Sequence, residues 1–129
     1  MQHSIQSQIS KVLAEHQPRI LFGYLFGSAD TPLEHPRSDL DIAVYFQAQP
    51  EDLALEHKLD LYTALSRATK RNRIDIVVLN TCKNQILLFE ILTQGRIVHD
   101  ASPKTRAIFE QQAMHSAIDF KQQRDRIFA

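Results

Sequence analysis

Ser38-Asp39-Leu40-Asp41-Ile42-Ala43-Val44-Tyr45-Phe46 is the stretch on which the fold turns. Its apolar residues Leu40, Ile42, Val44 and Phe46 recur at every second position, the period of a β-strand with one face in a core. Asp39 and Asp41 then share the other face, close enough for their charges to repel. Such a pair has a natural counterpart in a hard divalent cation. Mg²⁺ in particular is commonly held by one or two carboxylates together with substrate phosphates.

Working outward, helix and strand signals alternate. Residues 19–26 form an apolar, aromatic run that reads as a buried strand ending at Gly27-Ser28, and residues 30–37, with Pro32 and Pro36, read as a loop or a short broken helix. Upstream, residues 4–16 carry Ile5, Ile9, Val12 and Leu13 at helical spacing, with Pro18 closing the helix. Downstream, residues 51–69 predict a helix with Leu55, Leu59, Tyr62 and Leu65 on one side. Residues 72–79 predict a third strand, with Ile74, Ile76 and Val78 on one face and Asp75, Val77 and Leu79 on the other. A helix over about 83–94 ends at Gly95, a short strand covers 96–99, and Ser102-Pro103 opens a last helix reaching about residue 128. The alternation implies an α/β (α+β) architecture: one domain over residues 1–129, built as a small mixed β-sheet flanked by helices.

Asp75 interrupts the otherwise apolar run Ile74-Asp75-Ile76-Val77-Val78-Leu79, where a lone buried carboxylate would be costly. If its strand pairs beside the Asp39/Asp41 strand, the three carboxylates meet at one pocket. Gly27 then suits a place where backbone approaches phosphate closely, with the N–H groups after it as donors. Each residue also has a plainer reading. Asp39 and Asp41 could be a solvated strand edge, Asp75 an exposed charge, and Ser28 a helix cap. Phe22, Tyr24 and Phe26 read as core, Arg96 as support for a helix end, and Tyr45 either lines a nucleotide pocket or packs.

Composition bounds the classes. The 129 residues are 43% hydrophobic and 23% charged, as in an ordinary globular protein. A single cysteine, Cys82, excludes an internal disulfide framework, and the six histidines show no paired ligand spacing that would suggest zinc. No basic-then-apolar leader and no run of membrane-spanning length is present, so the expected location is the cytoplasm, away from membranes. Net charge is zero, which argues against direct nucleic-acid binding. The zero conceals an asymmetry: residues 1–64 carry 4 Lys/Arg against 9 Asp/Glu, and residues 65–129 carry 11 against 6. The basic half suits an anionic ligand or acidic partner, or simply a solvated helical surface.

Leu25-Phe26-Gly27-Ser28, followed after nine residues by Ser38-Asp39-Leu40-Asp41-Ile42-Ala43-Val44, resembles the signature of the DNA polymerase beta nucleotidyltransferase superfamily, most closely its minimal nucleotidyltransferase branch. Arg73 to Leu79, the segment with Gly95-Arg96 and the helix with Asp119-Phe120 are similar too. The resemblance implies a nucleotidyltransferase fold and transfer of a nucleoside monophosphate from a triphosphate, with ATP as co-substrate, to an acceptor hydroxyl. It implies that Asp39 and Asp41 hold two Mg²⁺ ions and that Asp75 binds the ion nearer the acceptor and takes the acceptor's proton. Two such ions sit about 3.5–4 Å apart and clamp the attacking and leaving oxygens. The same resemblance implies that Gly27 and Ser28 hold the terminal phosphates, with Ser38 also on the nucleotide side. After the serine this chain has Ala29-Asp30, where the family commonly carries a basic or bulky residue; Arg37, Arg67, Lys70 and Arg71 are the candidates to anchor phosphate instead. The branch resembles antitoxins paired in a hetero-oligomer with a HEPN-type ribonuclease toxin, some of which adenylylate a toxin tyrosine. The same residues leave room for an antitoxin acting by binding only, or for a nucleotidyltransferase of a small molecule such as an aminoglycoside.

Overall fold

The computed structural model describes residues 4–27, 39–48 and 55–128. Four helices and four strands follow one another as α1 (Ile5–Glu15), β1 (Ile20–Phe26), β2 (Leu40–Phe46), α2 (Leu55–Thr69), β3 (Ile74–Val78), α3 (Gln85–Gln94), β4 (Arg96–Asp100) and α4 (Pro103–Phe128). The strands make one sheet in the order β3-β2-β1-β4. β1 runs antiparallel to β2 and β4, whereas β2 and β3 are parallel, so the sheet is mixed as its alternating sequence implied.

The two-residue period of β2 sorts its side chains onto two cores. Leu40, Ile42, Val44 and Phe46 enter one cluster with Ile76 of β3, Ile9 and Leu13 of α1, and Leu61 and Leu65 of α2. Ala43 enters the other with Phe22, Tyr24 and Phe26 of β1 and Leu88 and Ile91 of α3, and Tyr45, Val77 and Phe109 pack against it. Helices α1 and α2 therefore cover one face, and α3 and α4 the other. Tyr45 packs: its ring stacks on Phe22 at a centroid distance of 4.9 Å and tilts against Phe109 at 5.5 Å. At the far end of β2 the Asn80 side chain donates to the Phe46 carbonyl and accepts from its N–H, both at 2.9 Å, which pins the strand end.

Helix ends follow their capping residues. Ser4 caps α1 by accepting from the Ser7 N–H at 3.1 Å, Asn84 caps α3 through the Leu87 N–H, and Ser102 accepts from Thr105 N–H ahead of Pro103. Gly95 closes α3 by donating to the Ile91 carbonyl, but with φ −72° it is extended and not left-handed. Its lack of a side chain matters for space: a Cβ there would lie 2.4 Å from the Ile91 oxygen. Arg106 of α4 ties the last helix to the sheet through Asp100 at 2.8 Å, and also pairs with Glu110.

One helix face differs from its expected reading. In α2 the buried residues are Leu61 and Leu65, while Leu55 and Leu59 are 70% and 55% exposed. Residues 59 and 61 stand about 200° apart on a helix, so both cannot face the sheet; contact with α1 and β3 selects Leu61. Leu61→Ala is expected to lower unfolding free energy by about 2–5 kcal/mol in urea titration. Leu59→Ala should stay within about 0.5 kcal/mol.

Candidate active site

Three chain segments meet at one end of the sheet: the end of β1, the start of β2 and the start of β3. Parallel pairing of β2 with β3 puts Asp41 directly beside Asp75, and antiparallel pairing with β1 puts Asp41 opposite Phe26, next to Gly27. The Leu40 N–H donates to the Arg73 carbonyl at 2.8 Å, which locks the entrance to both strands. Because Asp41 and Asp75 continue the faces of Ala43 and Val77, both carboxylates belong to the α3 and α4 side of the sheet.

Gly27 has φ +76°, a left-handed conformation that L side chains rarely adopt. A Cβ at this position would stand 2.3 Å from the Asp41 Oδ2. Only a glycine brings its backbone this close to the carboxylate without displacing it. The close approach that Gly27 permits in this structure is to the Asp41 side chain.

Asp41 is half-buried, Asp39 and Asp75 are exposed. The exposure of Asp75 follows from the position of β3 at the sheet edge. Burial, then the neighbouring charges of Asp75, Asp39 and Glu90, push the Asp41 carboxyl from its ordinary 3.8 up to about 6. The site thus brings together Asp39, Asp41, Asp75 and Gly27. Among the described residues, no three His, Cys, Asp or Glu side chains stand close enough to enclose a cation by themselves. Ser28 and Ser38, together with Ala29, Asp30 and Arg37, lie outside the described residues. Arg67, Lys70 and Arg71 fall at the end of α2 and in the connection entering β3, at the same end of the sheet as the carboxylates.

Glu90 is the residue that the sequence patterns passed over. It lies on α3 and acts electrostatically on Asp41. Its signal is visible with hindsight of the fold, since it is the sole charged residue in Gln85-Ile86-Leu87-Leu88-Phe89-Glu90-Ile91-Leu92-Thr93-Gln94.

Residues 7–104, which contain all of these groups, match the family described as Polymerase beta, Nucleotidyltransferase. The chain belongs to that family. It is 30% identical over 96 residues to the protein adenylyltransferase MntA of Shewanella oneidensis, an alignment covering 74% of this chain and 66% of that relative's length. Its fold matches a chain in the crystal structure of a toxin–antitoxin with AMP-PNP, with TM-score 0.78 and 24% identity, over 95% of this chain and 94% of that one. A chain of the toxin–antitoxin MntA-HepT matches with TM-score 0.72 and 22% identity, over 96% and 93% of the two.

The raised Asp41 carboxyl sets a pH dependence. The folded chain holds this proton more tightly than the unfolded chain, so the corresponding stability is present below pH 3.8 and lost as pH rises through about 6. In metal-free buffer, Asp41→Asn should therefore gain thermal stability relative to the native chain as pH climbs across that window. Melting curves that shift in parallel for both proteins would contradict this.

Proposed function

We propose that this chain is an antitoxin nucleotidyltransferase that moves AMP from ATP to a hydroxyl of a HEPN-type ribonuclease toxin, a tyrosine hydroxyl, with two Mg²⁺ ions. The observation that carries the reading is the Asp41 carboxylate held between Gly27 and Asp75, with its charge disfavoured by burial and like neighbours. A divalent cation relieves that repulsion, and an all-oxygen, carboxylate donor set suits Mg²⁺. Asp39, Asp41 and Asp75 would hold the metal. As the three do not enclose a cation unaided, phosphate and water oxygens complete the coordination, the usual arrangement for this ion. When bound, the ions supply Lewis-acid activation of the acceptor hydroxyl and neutralise charge on the triphosphate.

The protein's own groups do the rest. Gly27, with Ser28 and Ser38, binds the phosphate side of ATP, and the missing side chain of Gly27 makes room for the Asp41 carboxylate beside it. Asp75, the most accessible partner of Asp41 in the register, accepts the proton of the attacking hydroxyl. A new bond forms from the acceptor oxygen to the α-phosphorus, the α–β phosphoanhydride bond breaks, and pyrophosphate leaves. Similarity to a protein adenylyltransferase, and a shared fold with a toxin–antitoxin bound to AMP-PNP, support a protein acceptor and an adenine nucleotide. No helix among the described residues is long and apolar enough to cross a membrane, in keeping with a cytoplasmic reaction using ATP.

Incubation with ATP labelled in its α-phosphate, Mg²⁺ and the product of the neighbouring gene, which on this reading is the HEPN-type toxin, tests the proposal. Label should appear on a tyrosine of the partner and fall to background for Asp41→Asn and Asp75→Asn. Full neutralisation of the toxin by Asp41→Asn, without label, would replace transfer with inhibition by contact.

A further inference from the structure

The last helix outruns the core that holds it. The final buried residues of α4 are Ala113 and Ala117, and every residue from Ile118 to Ile127 is exposed. Among them are Ile118, Phe120 and Ile127, large apolar side chains facing water. Short helices without tertiary contacts are marginal in water, because nucleation is costly and packing supplies most of their stability. This end of α4 also lies beyond the part of the chain that matches the family, which stops at residue 104.

Beside it lies a groove of about 230 Å³ between α3 and α4. Ile86 and Phe89 of α3 and Ala117 and Phe120 of α4 give it an apolar floor, Gln85 adds one polar amide, and Lys121 and Arg124 give it a cationic rim. Ile86 is 58% exposed. The Lys121 ammonium sits 5.6 Å from the centre of the Phe89 ring. Neither rim cation has a carboxylate partner among the described residues.

We propose that this groove seats the acceptor protein, through an amphipathic helix whose apolar stripe enters between α3 and α4 and whose acidic flank meets Lys121 and Arg124. The inference rests on the transfer reading above and adds the surface that holds the acceptor protein. Apolar anchors in a groove with paired charges at the rim are how helical segments are recognised. A nucleic acid fits less well, because only two cations line a largely apolar groove. The occupied groove would also give the exposed end of α4 the packing it lacks.

The test uses the full chain and the same neighbouring gene product. Calorimetry should show Lys121→Glu combined with Arg124→Glu weakening the complex by about 30-fold or more, the loss expected of hot-spot contacts. Ile86→Asp, a change on the exposed floor, should weaken it similarly. Magnesium–ATP affinity of the chain alone should not change in either variant. The native affinity should fall with added salt, and the charge-reversed variant should lose that dependence. Native-strength binding by both variants would overturn the proposal. So would a fall in the solution mass of the isolated chain on charge reversal, which would make a second copy the occupant, or RNA binding abolished by charge reversal while protein binding persists. The two readings fail separately: groove variants that bind and are labelled normally refute the surface alone. An Asp41→Asn chain that binds through the groove and neutralises fully refutes transfer alone.

Discussion

The parallel register between β2 and β3 is the constraint from which the site follows. It places Asp41 beside Asp75 and forces two carboxylates into a repulsion that neither strand can relieve without surrendering its core side chains. A slip of one residue would turn Asp41 toward α1 and α2 and bring Leu40 or Ile42 to the surface, and burial of those two side chains forbids it. The hydrophobic core thus holds an electrostatically unfavourable site in place. Gly27 adds to the constraint, because its left-handed turn brings backbone against the same carboxylate from β1.

The two layers of helices divide the work. Helices α1 and α2 pack against the apolar face of β2 and fix the register. Helices α3 and α4 cover the face from which Asp41 and Asp75 project, leaving those groups at the open end of that layer. Polar links hold the layer to the sheet: Arg106 reaches Asp100 at the end of β4, and Asn80 fastens the end of β2. The charged residue that α3 contributes, Glu90, adds to the negative field around Asp41 rather than balancing it.

Much of this was legible in the sequence because period-2 alternation and period-breaking charges are local signals. Leu40 to Phe46 announced both its strand and its buried face, and Asp75 stood out in an apolar run. Family membership was legible for the same reason, since Gly27 and the spaced aspartates lie within a short span. The remainder depends on who packs against whom. The face of α2 was misread in part: of the stripe Leu55, Leu59, Tyr62 and Leu65 the fold buries Leu65 and packs Tyr62 on the core, while contact with α1 and β3 selects Leu61 over Leu55 and Leu59. Asp75 is exposed because β3 is the edge strand, a fact of strand order and not of its own neighbours. Gly95 was legible as a helix end but not in its geometry, which turns on the nearby Ile91 carbonyl. Glu90 entered the site by tertiary placement of α3.

The carboxyl of Asp41 reports most directly on whether these groups form a cation site. Carbon-detected NMR titration of its side chain, with and without Mg²⁺ and a non-hydrolysable ATP analogue, measures this proton itself. A midpoint near 6 in metal-free protein, falling below the ordinary 3.8 when the ion and nucleotide are added, is the predicted result. A midpoint at the ordinary carboxylate value that ignores both additions would contradict a metal-dependent transfer centre at this end of the sheet.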